Sequence, residues 1–193
     1  MRIVSCPEAE VPAPLRAQVL ELQDDAWPPG PAEPRSGRGP THDPALRPVS
    51  MLLVEGDVVL AALDVLSKEI GHAGGRWRAA GLSTVVTRRA ARGRGHGRRL
   101  VAAARDAVAA SGADVGLFTC DRPLLAFYES AGWEELPGTV LVGGTPQAPF
   151  PSDAPGFDKV TVGAFFSAGA AARRAAFEHA RIALHPGEID RLW

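Results

Sequence analysis

Apolar residues recur along the chain with two periods, which together predict strands alternating with helices. In residues 15–27 they fall at the spacing of an amphipathic helix. Two apolar runs, Val49–Glu55 and residues 58–66, flank a Gly-Asp turn and predict a β-hairpin. Further strands are predicted at residues 2–4, 76–87, 115–120 and 159–165, and further helices at 95–110, 124–130 and 168–184. The proline-rich segment 28–48 is predicted to be a long loop.

The most informative stretch follows the predicted strand 76–87, where alternate glycines lead into an alanine-rich helix. Gly93, Gly95 and Gly97 carry no Cβ, so the backbone of this loop can turn its N–H groups toward an anion. The helix that begins near Gly95 adds the positive end of its dipole. The loop therefore predicts a binding site for a phosphate or pyrophosphate. A basic surface loop is the alternative, because the chain is rich in arginine.

The spacing of these glycines distinguishes between the known phosphate-binding motifs. No Lys follows them, as a P-loop requires, and Arg98 stands where a Rossmann fingerprint needs its third glycine. The pattern Arg92-x-x-Gly95-x-Gly97 instead resembles the pyrophosphate loop of the GNAT superfamily of acyl-CoA N-acyltransferases.

A second segment resembles the same superfamily. After the strand 115–120, a short helix carries Phe127-Tyr128 and is followed by Gly132 and Trp133. Asp121 is expected to cap this helix and not to contact the cofactor. The resemblance covers about residues 50–142 and implies the α/β GNAT fold, with a mixed, mostly antiparallel central sheet splayed around the acyl-CoA site and flanked by helices. One domain is expected over residues 1–193, with a C-terminal strand, helix and tail at 157–193.

The resemblance implies that acetyl-CoA is the cofactor and indicates how it is bound. The end of the strand before the loop would bind the pantetheine arm and polarise the thioester carbonyl. The glycine loop and its arginines would bind the phosphates. The expected cofactor-binding residues are Val85, Val86, Thr87, Arg92, Gly93, Arg94, Gly95, His96, Gly97 and Arg98. The resemblance makes Tyr128 the general acid that protonates the CoA thiolate, with a purely structural Tyr as the alternative.

Within the superfamily, the layout of the chain resembles the aminoglycoside 2′-N-acetyltransferases in segments 127–133, 136–141 and 187–193. This resemblance implies acetylation of a primary amine of a small molecule, with an aminoglycoside antibiotic, and hence resistance, as one candidate. It also implies that the carboxylate of Trp193 contacts the amino sugar. The expected acceptor-binding residues are Trp193, Asp190, Asp158, Asp43 and Glu33.

The sequence departs from that branch where a proton acceptor is expected. The branch carries a Glu on the strand before the glycine loop, and Ser83 occupies the matching position here. Ser83 is kept as a candidate catalytic residue, but the general base is unassigned. Asp24 and Asp25 are further candidate anchors for the acceptor. Two other hypotheses therefore stay open: a GNAT enzyme for another small amine, such as a polyamine, an amino acid or an antibiotic intermediate, and a module that binds acyl-CoA without turnover.

Composition and charge limit the remaining functions. The net charge of −1 gives no global attraction to nucleic acid or membranes, so the expected partner is a small-molecule amine, with a homodimer left open. The six arginines between 88 and 99 lack interleaved aromatic residues, which disfavours a nucleic-acid patch. Cys6 and Cys120 lack metal-ligand spacing, and no metal is expected. Because no signal-peptide pattern or membrane-spanning apolar run is present, we expect a cytoplasmic protein.

Overall fold

The structure, a computed structural model, describes residues 1–28, 41–157, 159–190 and 192–193. The strands are β1 (Arg2–Pro7), β2 (Val49–Glu55), β3 (Val58–His72), β4 (Gly75–Thr87), β5 (Val115–Asp121), β6 (Glu134–Glu135), β7 (Val140–Gly144), β8 (Pro149–Pro151), β9 (Lys159–Phe165) and β10 (Arg181–Ala183). The α-helices are α1 (Ala13–Ala26), α2 (His96–Ala110), α3 (Leu125–Glu129) and α4 (Ala168–Ala172). None of the described helices is long and apolar enough to cross a membrane.

A seven-stranded sheet in the order β1-β2-β3-β4-β5-β9-β6 forms the centre of the fold. Its neighbouring strands are antiparallel except for β4 and β5, which pair in parallel. A smaller sheet in the order β10-β7-β8 accompanies it. The expected mixed, mostly antiparallel sheet with helices around it is therefore confirmed.

Helices cover both faces of the central sheet. The apolar side of α2 buries Leu100 and Ala104, four residues apart, in the larger core cluster. On the opposite face α1 packs Leu15 and Leu22 against the second cluster, which includes Leu52 from β2. Since alternate residues of a strand point to opposite faces, the continuous apolar runs of β2 and β3 supply both clusters.

Strands β4 and β5 shape the site because they pair over only two residues of each strand. The ladder joins Ala79 to Val115 and Ala80 to Gly116, and the two strands then diverge. Within the described chain, the edge of β4 that faces β5 has no strand partner beyond Ala80. On the other side of β4, an irregularity in its pairing with β3 accompanies a positive φ of 49° at Thr84. Such a bulge redirects a side chain and lets a strand bend.

The predicted helix over residues 168–184 is wrong beyond its first turns. The helix α4 ends at Ala172, and a 3₁₀ turn and β10 follow. Phe177 is fully buried, with its ring centroid 5.7 Å from that of Trp77 and 5.3 Å from that of Phe165. The amide of Val140 donates to the carbonyl of Ala180 at 2.8 Å, and β10 pairs with β7. Burial of an aromatic ring and strand pairing here outweigh the helix propensity of alanine.

Candidate active site

The glycine loop and the divergent end of β4 form a pocket of about 560 Å³, which we call the loop pocket. Gly95 precedes α2 with a φ of 79°, a conformation that other residues adopt only with strain. Gly97 lies so close to Thr87 that a Cβ would be 2.8 Å from its Oγ1. No side chain caps the start of α2, so the N–H groups of its first turn are available to an anion.

The structure brings most of the predicted cofactor residues to this pocket, and α3 adds residues that the sequence did not suggest. Arg94 is exposed and is not part of the lining. The lining residues that were not predicted are Leu124, Phe127 and Ser130, in and beside α3, together with Ala26 and Ala91. The predicted residues in the lining are Val85, Val86, Thr87, Arg92, Gly93, Gly95, His96, Gly97 and Arg98.

A second pocket, of about 350 Å³, adjoins the first; we call it the tail pocket because Leu192 and Trp193 form part of its wall. Its polar lining includes Ser83, Thr84 and Thr119, and its two charged side chains, Asp121 and Lys159, form an ion pair at 2.6 Å. Most of the lining is apolar or aromatic: Trp27, Leu82, Val85, Leu124, Phe150, Phe157, Leu192 and Trp193. No carboxylate side chain among the described lining residues is therefore left without a cation.

The ion pair changes the expected role of Asp121. This residue does precede the 3₁₀ turn that leads into α3, but its side chain makes no capping hydrogen bond and pairs with Lys159 instead. The neighbouring thiol of Cys120 also lines the tail pocket. Burial, aided by the charge of Asp121, raises the pKa of Cys120 to about 11. The thiol is therefore neutral, and a weak nucleophile, at neutral pH.

Tyr128 lies where the two pockets meet and lines both of them. Its ring packs edge-on against Phe118 and Phe127, with both centroid distances 5.0 Å. Burial raises the pKa of the phenol well above its ordinary value, and the nearby Cys120 and Asp121 add to the rise. The hydroxyl therefore stays protonated across the neutral range and can serve as a hydrogen-bond donor at the junction.

The indole of Trp193 occupies the wedge in which β4 and β5 diverge. It is 7% exposed, and its Nε1 donates to the carbonyl oxygen of Leu117 on β5 at 2.7 Å. Gly81 on β4 makes room for it, because a Cβ there would overlap the indole. The indole thus satisfies a carbonyl that lies beyond the β4–β5 ladder, and Trp193 also lines the tail pocket.

A buried polar cluster links Asp64 of β3 and Thr84 of β4 to His42 and Asp190. His42 is 3% exposed, with Nδ1 2.5 Å from Asp190 Oδ1 and Nε2 3.2 Å from Asp64 Oδ2. Asp64 also accepts hydrogen bonds from Ser50 and, at 2.6 Å, from Thr84 Oγ1. Burial acts to lower the pKa of His42, but the hydrogen bonds to the two carboxylates outweigh it and raise the pKa to about 9. The imidazole is therefore protonated at neutral pH.

The residues predicted for catalysis and acceptor binding are placed in different surroundings. Ser83 and Trp193 line the tail pocket. Asp190 is buried against His42, and its second oxygen accepts from the amide of Asp43 at 2.9 Å. The side chain of Asp43 caps a 3₁₀ turn by accepting from the amide of Ala45. Glu33 and Asp158 lie outside the described residues.

Sequence reasoning did not select His42, Asp64 or Thr84. One signal was present: Asp64 is the only charged residue in the apolar run 58–66, and a lone carboxylate among apolar neighbours needs partners. Its partners are remote in sequence, which hid the cluster. Across the described ranges, no group of three or more His, Cys, Asp or Glu residues is arranged so that it could hold a metal ion.

Comparison with known proteins finds one family model that matches the central part of the chain. Residues 55–135 match the model described as "Acetyltransferase (GNAT) domain". This match spans β3 to β6 and includes the glycine loop and Tyr128. No curated protein matches the chain.

Solved structures resemble the whole fold at low sequence identity. An acyl-CoA N-acyltransferase from Pseudomonas aeruginosa superposes with a TM-score of 0.56 at 16% identity, covering 84% of this chain and 97% of its own. ElaA from Escherichia coli gives 0.55 at 13% identity, with 84% and 99% covered. An aminoglycoside 6′-N-acetyltransferase complexed with coenzyme A gives 0.55 at 16% identity, with 85% and 97% covered. At these identities the likeness concerns the fold.

Proposed function

We propose that this chain, an acetyltransferase that carries a GNAT domain and has the GNAT fold, acetylates a primary amine of a small molecule held in the tail pocket. The observation that carries the proposal is the position of Tyr128, which lines both pockets at their junction. One pocket has the features of a phosphate site, and the other has the volume for a small acceptor. The two substrates would meet at the phenol.

The loop pocket fits acetyl-CoA, the cofactor of this domain. The uncapped first turn of α2 and the glycine cradle would hold the diphosphate, with Arg92 and Arg98 supplying cationic side chains. The edge of β4 from Val85 to Thr87, which has no strand partner toward β5 among the described residues, would bind the amides of the pantetheine arm. When bound, acetyl-CoA supplies an activated acetyl thioester.

Tyr128 would hold its hydroxyl against the departing sulfur and give it a proton. Its raised pKa keeps the phenol protonated, although the proton is harder to remove than from an ordinary phenol. We therefore expect its hydrogen bond to stabilise negative charge on sulfur before the proton moves. The neutral thiol of Cys120 argues for direct transfer to the amine without an acyl-enzyme on that residue.

The lining of the tail pocket favours an amine on an apolar or aromatic framework. The aromatic walls offer stacking surfaces, and Asp121 is already paired with Lys159. An aminoglycoside is the narrower candidate, and the resemblance of segment 127–133 to the 2′-N-acetyltransferases supports it. A polycation, however, needs several carboxylates, and the one carboxylate side chain among the described lining residues is that of Asp121.

A panel of amines tests the function and the acceptor class together. The purified protein is incubated with acetyl-CoA and phenethylamine, spermidine, kanamycin or an amino acid, and both thiol release and the mass of the product are measured. We expect acetylated phenethylamine to form fastest. Preference for kanamycin would support the aminoglycoside candidate instead. Absence of any acetylated amine, with acetyl-CoA bound, would contradict the proposal and favour a binding module.

A further inference from the structure

We propose that Asp64 is the proton acceptor of the transfer, and that the hydroxyl of Thr84 carries the amine proton from the tail pocket to the Asp64 carboxylate. The inference rests on the proposed function, because an amine must lose a proton to form an amide. It assigns the general base to a buried cluster that no other part of the mechanism uses.

Thr84 connects the tail pocket with the buried cluster around Asp64. Thr84 lines the tail pocket, together with Tyr128 and Val85. Its Oγ1 donates to Asp64 Oδ2 at 2.6 Å. Asp64 itself is 4% exposed and does not line that pocket. A hydroxyl that donates to a carboxylate retains lone pairs that can accept a proton from an amine.

The backbone of Thr84 adopts an unfavourable left-handed conformation. Its φ of 49° is rare for a β-branched residue, and it coincides with the irregular pairing of β3 and β4. Strained conformations of this kind persist only where the surroundings impose them, and they cluster at functional sites. Here the strained residue is the one that joins the tail pocket to the buried carboxylate.

The register of β3 and β4 places a carboxylate opposite Ser83. Asp64 on β3 is paired with Ser83 on β4, and Ser83 also lines the tail pocket. Ser83 cannot supply a negative charge. The adjacent strand therefore supplies a carboxylate directly opposite Ser83.

The charges around Asp64 determine how it can act. His42, protonated at neutral pH, donates from Nε2 to Asp64 and from Nδ1 to Asp190. Glu8 accepts from the backbone amide of His42, and Arg16 lines the small cavity that Asp64 and Glu8 share. His42 orients the carboxylate of Asp64 and balances part of the negative charge, so we assign it a positioning role.

The proton balance is as follows. The amine nitrogen forms the new bond to the acetyl carbon as the bond from that carbon to sulfur breaks. The bound ammonium loses two protons. The first passes to Thr84 Oγ1, whose own proton passes to Asp64 Oδ2, and this leaves the free amine that attacks. The second leaves the nitrogen as the amide forms and replaces the proton of Tyr128, which the sulfur receives. Asp64 then releases one proton to solvent, so that the enzyme returns to its starting state.

Two acceptors of the same shape and different basicity test the assignment. Phenethylamine is almost wholly protonated at neutral pH, whereas a large fraction of β,β-difluorophenethylamine is uncharged. We expect Asp64→Asn to lower kcat/KM for phenethylamine about 10²- to 10⁴-fold at neutral pH. The loss for the fluorinated amine should be much smaller. For phenethylamine, the residual rate should rise about tenfold per pH unit, because only the free base then reacts.

Two substitutions at position 84 test the relay even if the Asp64→Asn variant does not fold. Thr84→Val removes the hydroxyl and retains the shape, whereas Thr84→Ser retains the hydroxyl. We expect the first to reproduce the basicity-dependent loss and the second to restore activity. Thr139→Val is the control, because it removes a buried hydroxyl that donates to the carbonyl of Phe177 in the 3₁₀ turn before β10, and neither residue lines a pocket of the site.

Failure of the proton relay and failure of the proposed function would give different results. An equal loss for both amines in Asp64→Asn, or full activity in Thr84→Val, would overturn the proton relay and leave the acetyltransferase function standing. A wild-type protein that acetylates neither these two amines nor any member of the panel would instead contradict the proposed function itself.

Discussion

Among single residues, Tyr128 has the most chemistry assigned to it, and its ring and its hydroxyl have separable roles. The ring packs between Phe118 and Phe127, so it contributes to the core whether or not the hydroxyl is present. Tyr128 also lines both pockets, and the hydroxyl is the polar group that it can offer there. A substitution that keeps the ring and removes the hydroxyl therefore isolates the chemical role.

We expect Tyr128→Phe to lower kcat by about 10²- to 10⁴-fold, the usual effect of losing a positioned acid. The dissociation constant of acetyl-CoA should change little, because the ring contacts remain. Steady-state kinetics and calorimetry measure the two quantities. Because burial raises the pKa of this phenol, its ionisation should produce no decline in rate between pH 7 and about 9. An unchanged kcat would remove Tyr128 from the mechanism.

The contribution of His42 to the stability of the protein should depend on pH. Its pKa of about 9 in the folded protein lies above the ordinary histidine pKa of 6.5, so its contribution to stability is complete below pH 6.5 and is lost as the pH rises toward 9. The shift corresponds to roughly 3 kcal/mol at most. Urea unfolding of the wild type and His42→Gln should give a stability difference that narrows over this range. A difference that is constant or grows with pH would contradict the charged cluster.

At the scale of elements, the glycine loop and the start of α2 act as one unit. The loop can approach an anion because Gly95 has a positive φ and Gly97 has no space for a side chain. The helix then presents its uncapped N–H groups. Local spacing determines all of this, which is why the loop could be predicted from the sequence.

Replacing both Gly95 and Gly97 with Val should abolish acetyl-CoA binding, since the first change strains the backbone and the second overlaps Thr87. Calorimetric titration measures the affinity. Gly74→Val in the β3–β4 turn is a matched control, because Gly74 has a similar φ of 72° and lies outside both pockets. It should bind acetyl-CoA like the wild type. Normal binding by the double variant would show that the loop is not the phosphate site.

The predicted C-terminal helix is a case in which the local sequence pattern does not determine the structure. Alanine-rich sequence over residues 168–184 favours a helix, yet only Ala168–Ala172 forms one. The burial of Phe177 against Trp77 and the pairing of β10 with β7 depend on contacts with distant segments. No window of sequence around residue 177 contains that information.

At the scale of the whole molecule, distant segments of the chain meet behind β4 and complete the site. Asp190 binds His42, and Trp193 fills the wedge between β4 and β5. The motifs of the central part predicted the loop pocket and Tyr128. His42 and Asp64 were missed because their meeting with Asp190 depends on the path of the chain and on the pairing of strands.

The wedge gives a stability prediction. Trp193→Phe leaves the buried carbonyl of Leu117 without its donor, which should cost about 1–3 kcal/mol of unfolding free energy in urea titration. Trp27→Phe is the control, because Trp27 also lines the tail pocket but is 55% exposed. Its stability should change by less than about 0.5 kcal/mol. Equal stabilities of the two variants would show that the indole does not brace the divergent strands.

The central claim is that the glycine loop and the divergent strand β4 bind acetyl-CoA with Tyr128 at the reacting end. Hydrogen–deuterium exchange with and without acetyl-CoA tests it most directly, since protection is localised along the backbone. The account predicts slower exchange in residues 82–87 and 93–99 on binding, with β7 and β8 of the smaller sheet unchanged. Saturating acetyl-CoA that leaves the exchange of 93–99 unaltered would contradict it.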